Sequence, residues 1–377
     1  MAWGLFVLWF IITALTIWGN FLAQKKLASS PPHLDAPFNL YPVTILKPLK
    51  GADAALEKNI ESFFELDYPN YEILISVPSF NDPAYSIAAR TIARNPRIKA
   101  RLFAGEAKIG PNPKINNILK AYESALNDWI LISDSNVRVE RNYLKRLVAH
   151  LEPGVGLVTA IVAGREAHGL GGRLESTYLN TFYARGMSLI ERLGHPCVVG
   201  KSMLFQRSTA TRFGGIQNLA RYLAEDYMAG EAMLRLGLRV VVATDPVPQI
   251  IGQYSFKEFW SRHIRWGRIR KAQAPLAFLF EPLTGCFLSA CLGAWASSQL
   301  FNITPWFILV FHFSVWSLGD LLLMLRLGER AHVLMPAWWF LRELLAFPLW
   351  IHIASGNTVN WRGTHLTIQQ GGMLAEN

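Results

Sequence analysis

The chain has 377 residues, enough for one large or two ordinary domains, and 51% of its residues are hydrophobic. Its formal net charge is +10, but much of the positive excess lies beside apolar segments, where anionic lipid headgroups explain it. Because no nucleic-acid-binding motif accompanies these basic residues, we exclude nucleic acid as the partner.

The chain begins with an apolar segment, 3–22, that carries no charged side chain. Its length is sufficient to cross a hydrocarbon layer about 30 Å thick. No basic region precedes it and no small-residue cleavage site follows it, which favours a retained anchor over a cleaved signal peptide. Lys25 and Lys26 follow the segment, so the positive-inside rule places the next region on the cytoplasmic side.

The region after the anchor alternates between short apolar runs and segments with helical spacing. The predicted strands lie within 41–51, 71–83, 100–106 and 128–139, and the predicted helices lie within 54–69, 84–95 and 112–126. This alternation predicts an α/β fold with a mostly parallel sheet and flanking helices. In such sheets ligands bind beyond the carboxyl ends of the strands.

Polar residues collect at those predicted strand ends: Lys47, Lys50, Asn81, Asp82, Asp134, Ser135 and Asn136. Asp134 is the best candidate for a metal ligand, since Mg²⁺ and Mn²⁺ prefer oxygen atoms and one carboxylate plus substrate phosphates is a common arrangement. The alternative is that Asp134 only turns the chain or caps a helix. Asp82 precedes Pro83, a pair that is common in turns. The alternative of a turn or a helix cap is therefore stronger for Asp82 than for Asp134.

The stretch LAEDYMAGEAMLRLG, 223–237, predicts an amphipathic helix with Glu225 and Asp226 together in its first turn. The helix macrodipole alone favours acidic residues there. A carboxylate at the start of a helix that faces the sheet edge is also suited to act as a general base. From the residues alone, both interpretations of Glu225 and Asp226 stay open.

The stretch EFWSRHIRWGRIRK, 258–271, places Arg262, Arg265 and Arg268 three residues apart, beside Trp266. Arginine side chains suit a pyrophosphate, and tryptophan offers a flat face to a sugar or lipid. The alternative is a basic helix that lies at the bilayer surface. We also expect the aromatic residues Phe259, Trp260 and Trp266 to form part of an entrance for a lipid.

The last third of the chain is again apolar. Segments 276–300 and 306–325 predict two spans, while block 334–354 carries Arg342 and Glu343 at its centre and predicts a re-entrant or interfacial segment. We expect this charged pair to lie against the lipid entrance, and the tail with Trp361 and Arg362 to return to the cytoplasmic side. The predicted division is an anchor at 1–26, a catalytic domain at 27–257, an interfacial helix at 258–275, a membrane region at 276–354 and a tail at 355–377.

Taken in order, Asp82, Asp134, Asp226 and RHIRW (262–266) resemble the D, D, D, (Q/R)-x-x-R-W series of membrane-bound inverting glycosyltransferases with a GT-A fold. More narrowly, the chain resembles the ceramide glucosyltransferase family over about 43–271. The matching blocks are ILKPLKGAD, FFELDYPNYEILISV, GPNPKINNILKAYE, ISDSNVRV, LAEDYMAGEAM and SRHIRW.

The resemblance implies transfer of glucose from UDP-glucose to a ceramide at the cytoplasmic face, with a divalent metal (Mg²⁺ or Mn²⁺) and inversion at the anomeric carbon. It further implies that Asp82 contacts the nucleotide, Asp134 reaches the metal and diphosphate, and Asp226 is the general base. The other implied donor-binding residues are Lys47, Lys114 and Arg265. Those implied for the acceptor are Trp260, Arg262 and Trp266.

One position departs from many relatives of this fold, which carry a second acid two residues after the metal aspartate. Asn136 stands there, so any metal is expected to bind weakly and mainly with the nucleotide.

The motif residues do not choose among acceptors, so a hopanoid, a diacylglycerol or a sterol stays open, as do UDP-N-acetylglucosamine and UDP-galactose as donors. A processive polysaccharide synthase is disfavoured because three firm spans are too few to enclose a channel. The compartment is an inner membrane in a bacterium, or the Golgi or endoplasmic reticulum in a eukaryote.

Overall fold

A computed structural model describes residues 1–32, 39–361 and 364–374. Arg362 of the predicted tail lies outside the described residues. The α-helices are α1 (Ala2–Ala28), α2 (Leu56–Phe64), α3 (Pro83–Arg94), α4 (Pro113–Glu123), α5 (Tyr143–Val148), α6 (Gly169–Tyr178), α7 (Ala184–Arg192), α8 (Arg207–Thr211), α9 (Glu225–Arg235), α10 (Phe256–Gln273), α11 (Pro275–Phe280), α12 (Cys286–Phe301), α13 (Pro305–Arg326) and α14 (Met335–Ala354). The strands are β1 (Val43–Pro48), β2 (Tyr71–Val77), β3 (Lys99–Ala104), β4 (Trp129–Ile132), β5 (Val155–His168), β6 (Met203–Gln206), β7 (Arg239–Gln253), β8 (Thr358–Trp361) and β9 (Thr364–Thr367).

The described chain divides into two compact units. The sheet unit contains the described residues of Ser29–Glu166, Leu193–Gly252 and Met373–Asn377. The helical unit contains Met1–Ala28, Ala167–Arg192 and the described residues of Gln253–Gly372. The excursion 167–192 belongs to the helical unit because α6 packs against α10 and α14, and α7 packs against α1.

The sheet unit is built on seven strands in the order β3-β2-β1-β4-β6-β5-β7. Strands β1 to β4 are parallel to their neighbours within this set, and β6 is antiparallel to both β4 and β5. The predicted mostly parallel α/β sheet is therefore confirmed. Each predicted strand and helix between 41 and 139 is present, although α2 ends at Phe64 rather than continuing to Pro69.

The apolar runs of the sheet form its core. Strand β1 is buried along its whole length, and Ile45, Leu46, Ile73 and Leu74 have no solvent exposure. Burying such residues stabilises the fold by about 25 cal/mol per Å² of apolar surface removed from water. This packing fixes the strand ends, and with them the loops that follow β1, β2 and β4.

The helical unit contains two helices, α1 and α13, that are long and apolar enough to cross a membrane. The predicted spans at 3–22 and 306–325 correspond to them. The predicted span at 276–300 corresponds to two helical segments, Pro275–Thr284 and Cys286–Phe301, that are bent by 66° at the break between them. Pro282 lies in the 3-10 helix Glu281–Thr284 that follows α11, and a proline ring removes a backbone donor and disfavours a continuous α-helix. The bent pair adds a third span if it crosses as one.

A bundle cluster of four polar residues, namely Asn20, Arg185, Asp320 and Trp339, joins α1, α7, α13 and α14. The carboxylate of Asp320 is fully buried and accepts hydrogen bonds from Asn20 Nδ2 at 3.3 Å, from Trp339 Nε1 at 2.9 Å, and from Arg185. Arg185 and Asp320 also form an ion pair with side chains that are 6% and 0% exposed. A buried carboxylate needs such partners because an unpaired charge is costly away from water.

Helix α14 carries the charged pair predicted to face protein or headgroups. Arg342 and Glu343 are both buried, form an ion pair, and face protein. The guanidinium of Arg342 lies 4.8 Å from the ring centroid of Phe182, and Glu343 accepts a hydrogen bond from the Cys286 backbone amide at 3.0 Å.

Candidate active site

The sheet-edge cluster consists of Lys114, Asp134, Lys201, Glu225 and Asp226. It lies in the sheet unit, beyond the carboxyl end of β4, where open α/β sheets bind ligands. Lys114 Nζ lies 2.9 Å from Asp134 Oδ1, and Lys201 Nζ lies 2.8 Å from Asp134 Oδ2. Lys114 Nζ also lies 2.8 Å from Glu225 Oε1, so it links the two acidic sides of the cluster.

The carboxylate of Asp134 does not cap a helix. Both of its oxygens are paired with ammonium groups instead. Burial alone would raise the pKa of Asp134, but the charges of Lys114 and Lys201 outweigh burial and hold that pKa well below its ordinary value. Burial would lower the pKa of Lys114, and the surrounding acids reverse this and raise it. Asp134 and Lys114 are therefore an ionised pair at neutral pH.

Lys201 reaches Asp134 because β6 runs antiparallel to β4. Met203 at the start of β6 pairs with Ile132 at the end of β4, so the residues that precede β6 lie beside the loop that follows β4. The ammonium of Lys201 also donates to Asn136 Oδ1 at 2.9 Å. Its side chain is only 11% exposed.

Asp226 is the second residue of α9, as the sequence predicted. Its carboxylate accepts hydrogen bonds from the backbone amides of Gly200 and Tyr227, each at 2.8 Å. Burial, and next the negative charge of Glu225, raise the pKa of Asp226 to about 6, although Lys114 and the two backbone amides oppose the shift. A carboxyl group with this pKa is suited to accept a proton near neutral pH.

Glu225 is held by groups other than Asp226. It accepts a hydrogen bond from Asn112 Nδ2 at 3.2 Å and pairs with Lys114. Asn112 is fully buried and also caps α4, because its Oδ1 accepts from the backbone amides of Lys114 and Ile115. One asparagine thus fixes both the start of α4 and the carboxylate that neighbours Asp226.

A side chain at Gly200 would displace the ammonium of Lys114. A Cβ atom there would lie 2.5 Å from Lys114 Nζ and 3.4 Å from Asp226 Oδ2. Glycine therefore allows the backbone to approach both groups and to donate its amide to Asp226.

Lys47 lies beneath the cluster and is fully buried. Its ammonium donates to the backbone carbonyl of Asp134 at 2.7 Å and lies 3.9 Å from the ring centroid of Phe63. Burial lowers the pKa of Lys47 well below its ordinary value. In this arrangement Lys47 supports the Asp134 loop, and its predicted contact with the donor stays a prediction.

Asp82 has the capping geometry that the Asp-Pro pair predicts. It caps α3 by accepting from the Ala84 amide at 2.9 Å, and both of its oxygens accept from the Gly51 amide at 3.0 and 3.1 Å. Gly51 has a φ of +72°, a conformation that favours glycine. Asp82 thus joins the loops that follow β1 and β2, and its contact with a nucleotide stays a prediction.

The side chains around Asp134 do not form a site ready for Mg²⁺ or Mn²⁺. Asp134 and Asn136 offer oxygen atoms, but the Lys201 ammonium is bound to both residues. Across residues 1–32, 39–361 and 364–374, no three His, Cys, Asp or Glu side chains group together in a way that could hold an ion. A divalent cation at Asp134 would have to displace Lys201 and draw most of its ligands from elsewhere.

The family model for glycosyl transferase family 21 matches residues 5–374 of this chain. The chain belongs to this family. It is therefore a glycosyltransferase, and the predicted resemblance to ceramide glucosyltransferases is confirmed.

Individual relatives agree with this assignment. The glycosyltransferase is 31% identical to ceramide glucosyltransferase 3 of Caenorhabditis elegans, over 88% of this chain and 74% of that protein. It is 29% identical to the ceramide glucosyltransferase of Komagataella phaffii, over 94% of this chain and 88% of that protein.

A solved structure shares the fold. The mannosyltransferase PcManGT of Pyrobaculum calidifontis, solved with GDP-Man and Mn²⁺, has a TM-score of 0.53 and 18% sequence identity. The similarity covers 93% of this chain and 98% of that chain. The predicted GT-A-like fold is confirmed.

The R-x-x-R-W residues of the glycosyltransferase lie on α10, in the helical unit. Arg262 lies 3.1 Å from Glu175 and 4.2 Å from the ring centroid of Trp266, so its guanidinium is held between an acid and an aromatic face. Trp260 donates to His352 Nδ1 at 3.0 Å. Arg265 is half-buried on the same helix, and its contact with the diphosphate stays a prediction.

The helical unit contains a cavity of about 750 Å³, counting the space open to solvent. Its wall includes the apolar side chains Phe182, Phe259, Leu345, Leu349, Trp350 and Ile353. Its polar wall includes Tyr178, His263, Arg342 and Glu343. Of the residues expected at a lipid entrance, Phe259, Arg342 and Glu343 line this cavity, whereas Trp260 and Trp266 do not.

Sequence reasoning missed three residues of the site, namely Asn112, Gly200 and Lys201. A signal for Lys201 is present in CVVGKSMLF, where one lysine interrupts an apolar run. A lysine is rarely buried without a partner, so a lysine in an apolar run predicts an acid beside it. Gly200 and Asn112 carry no comparable signal, because their roles depend on contacts with α9.

Proposed function

We propose that this glycosyltransferase transfers glucose from UDP-glucose to the hydroxyl group of a ceramide, with inversion, at the cytoplasmic face of a membrane. The relatives named as ceramide glucosyltransferases support the donor sugar and acceptor. The observation that carries the proposal is the sheet-edge cluster, in which a carboxylate whose pKa is raised to about 6 lies beside lysines able to bind a diphosphate.

Asp226 is the general base of the proposed reaction. The acceptor oxygen attacks the anomeric carbon of glucose while Asp226 takes its proton. The new carbon–oxygen bond forms as the bond to the UDP oxygen breaks, and the bonding electrons leave with UDP. One displacement of this kind inverts the anomeric centre.

The leaving UDP gains negative charge, which fixed positive groups stabilise. Lys114 is the donor-binding residue best placed in the sheet unit, since its ammonium is held between Asp134 and Glu225. Lys47 and Asp82 position the loops around the donor. The archaeal mannosyltransferase structure contains Mn²⁺. Here Mg²⁺ or Mn²⁺ would have to enter with the nucleotide sugar and displace Lys201 from Asp134 and Asn136.

The acceptor's hydrocarbon chain is proposed to occupy the cavity of the helical unit. Mostly apolar walls with a few polar groups are typical of ligand sites. The Arg342–Glu343 pair and His263 supply those polar groups here. Arg262, Trp260 and Trp266 lie on the same α10 helix as His263 and are proposed to face the acceptor headgroup.

The basic residues Lys25, Lys26 and Arg326 at the ends of α1 and α13 support a cytoplasmic catalytic face, because positive residues favour that side. The two candidate membrane helices and the relatives agree with a membrane-associated enzyme.

The full-length protein in lipid nanodiscs tests the proposal. Each nanodisc sample would contain one acceptor (ceramide, diacylglycerol, a sterol or a hopanoid) and receive labelled UDP-glucose, UDP-N-acetylglucosamine or UDP-galactose. Mass spectrometry and NMR of the lipid product should show a β-glucosylceramide from the α-linked donor. A different labelled lipid would contradict the proposed acceptor, and an α-linked product would contradict inversion.

A further inference from the structure

Lys201 occupies a chemically unusual place in the sheet-edge cluster. Its single ammonium lies 2.8 Å from Asp134 Oδ2 and 2.9 Å from Asn136 Oδ1. These two side chains are the oxygen donors that a divalent cation would use beside the donor diphosphate. The ammonium therefore holds positive charge at the position that the sequence assigned to a metal.

The lysine is held there by the fold. The register of β4 with β6 fixes the backbone two residues away, and the neighbouring Gly200 amide is bound to Asp226. Its side chain is only 11% exposed, so protein encloses most of it. A surface lysine would lose more side-chain entropy on binding a phosphate than this restrained one.

A second ammonium reinforces the same arrangement. Lys114 binds the other oxygen of Asp134, so two positive groups flank one carboxylate. A divalent cation placed on Asp134 would be repelled by both. A diphosphate would instead gain two charge-assisted hydrogen-bond donors.

We propose that Lys201 is a donor-binding residue that replaces the divalent cation, so that with Lys114 it binds the diphosphate of the nucleotide sugar without added metal. This inference rests on the proposed function, because it takes a nucleoside diphosphate as the leaving group. The inference adds Lys201 to the residues of the family motif. It assigns to Lys201 the positive charge that the motif leaves to a metal ion.

Equilibrium binding of UDP to the detergent-solubilised full chain tests the inference. The wild type is measured in EDTA and in Mn²⁺, together with Lys201→Met, Lys201→Arg and a control, Lys99→Met. Lys99 is exposed at the start of the edge strand β3, at the opposite end of the parallel strands. Unfolding midpoints of all four proteins verify that each is folded.

We expect the wild type to bind UDP almost equally well in EDTA and in Mn²⁺. Lys201→Met should lose about tenfold in EDTA, the value of one charge-assisted hydrogen bond, and recover part of the loss in Mn²⁺. Lys201→Arg should keep most of the affinity in EDTA, and Lys99→Met should match the wild type. Loss of wild-type UDP binding in EDTA, or unchanged binding by Lys201→Met, would overturn the inference.

Electron paramagnetic resonance of Mn²⁺ supplies a readout that needs no nucleotide. Lys201→Met should bind Mn²⁺ more tightly than the wild type, because the substitution frees the oxygens of Asp134 and Asn136. Equal Mn²⁺ affinities would contradict the replacement.

The lipid-product assay separates the two proposals. Glucosylceramide formed only when Mn²⁺ is present would refute the role of Lys201 and retain the proposed function. No glucosylceramide under any condition would refute the proposed function, while the Mn²⁺ comparison would still decide whether Lys201 holds the metal position.

Discussion

Two clusters of buried charged residues in this protein contain similar residue types but have different roles. In the bundle cluster, Asp320 has no solvent exposure and its partners all come from the surrounding helices. In the sheet-edge cluster, the paired side chains of Lys114, Asp134, Lys201 and Glu225 are 8 to 25% exposed. The first arrangement leaves no face for a ligand, whereas the second can exchange a partner for a substrate group.

The two clusters distinguish charges that stabilise the fold from charges that serve ligand binding and turnover. A fully enclosed ion pair contributes mainly by avoiding an uncompensated buried charge, so removing one member is severe. A partly open cluster contributes by presenting charge to a ligand, so removing one member affects binding or catalysis first. The following substitutions test this separation, beginning with the largest expected effect.

The substitution Arg185→Met should destabilise the fold by about 3–5 kcal/mol, because it leaves the Asp320 carboxylate buried without its cation. Denaturant unfolding in detergent micelles would measure the change in the free energy of unfolding. Arg192→Met, at the exposed end of α7, is the matched control and should change little. Equal stability of the two variants would show that the bundle cluster has no stabilising role.

A double variant sharpens this prediction. Replacing Asp320 by Leu in the Arg185→Met background removes both charges and should recover much of the lost stability. No recovery would mean that the packing of Arg185, rather than the unpaired carboxylate, caused the loss.

The substitution Asp226→Asn should lower turnover by about 100-fold or more, since it removes the general base. An amide oxygen can still accept from the Gly200 backbone, so UDP-glucose binding should change little. Steady-state turnover and equilibrium donor binding would be measured on the same preparation. Glu231→Gln, on the same helix, is the control, and near-normal turnover of Asp226→Asn would refute the base.

Filling the cavity should weaken acceptor binding without touching the sheet-edge cluster. Ala346 lines the cavity on α14, and Ala346→Trp should raise the KM for ceramide about tenfold through steric exclusion. Ala337→Trp, exposed on the same helix, is the control. If the two variants gave the same KM, the cavity would not hold the acceptor chain.

The pH dependence gives the smallest expected change. Asp226 accepts a proton only as a carboxylate, and burial with the charge of Glu225 raises its pKa to about 6. Activity should therefore rise with pH, reach half its maximum at about pH 6 and level off above it. A profile of kcat/KM against pH would show this limb, and its persistence in Asp226→Asn would assign the titration to another group.

Local patterns predicted strands β1 to β4, because these are short apolar runs bounded by turns, but they did not identify β5, β6 and β7. They also placed Asp134 and Asp226 correctly at a strand end and at a helix start. They did not reveal the pairing of Lys201 with Asp134, which are 67 positions apart and meet only through the antiparallel register of β4 and β6.

The membrane-facing parts were harder to predict from apolarity alone. Hydropathy identified α1, α13 and the apolar segment 276–300, yet it gave no sign of the 66° bend between Pro275–Thr284 and α12. Segment 167–192 gave no apolar signal of its own, because polar residues such as Asn180 and Arg185 are buried there against other helices. Such burial depends on partners far along the chain.

The bundle cluster also constrains the order in which the helices of the protein can fold together. Asn20 and Asp320 are 300 positions apart, and Trp339 follows 19 positions later. During synthesis, Arg185 and Asn20 must wait for the C-terminal helices before their hydrogen bonds can form. Contacts of such long sequence separation form slowly and late, and chains that wait with unpaired polar groups are prone to misassembly. The yield of folded enzyme should therefore depend on the translation rate and on chaperones that shield the helices that are made first.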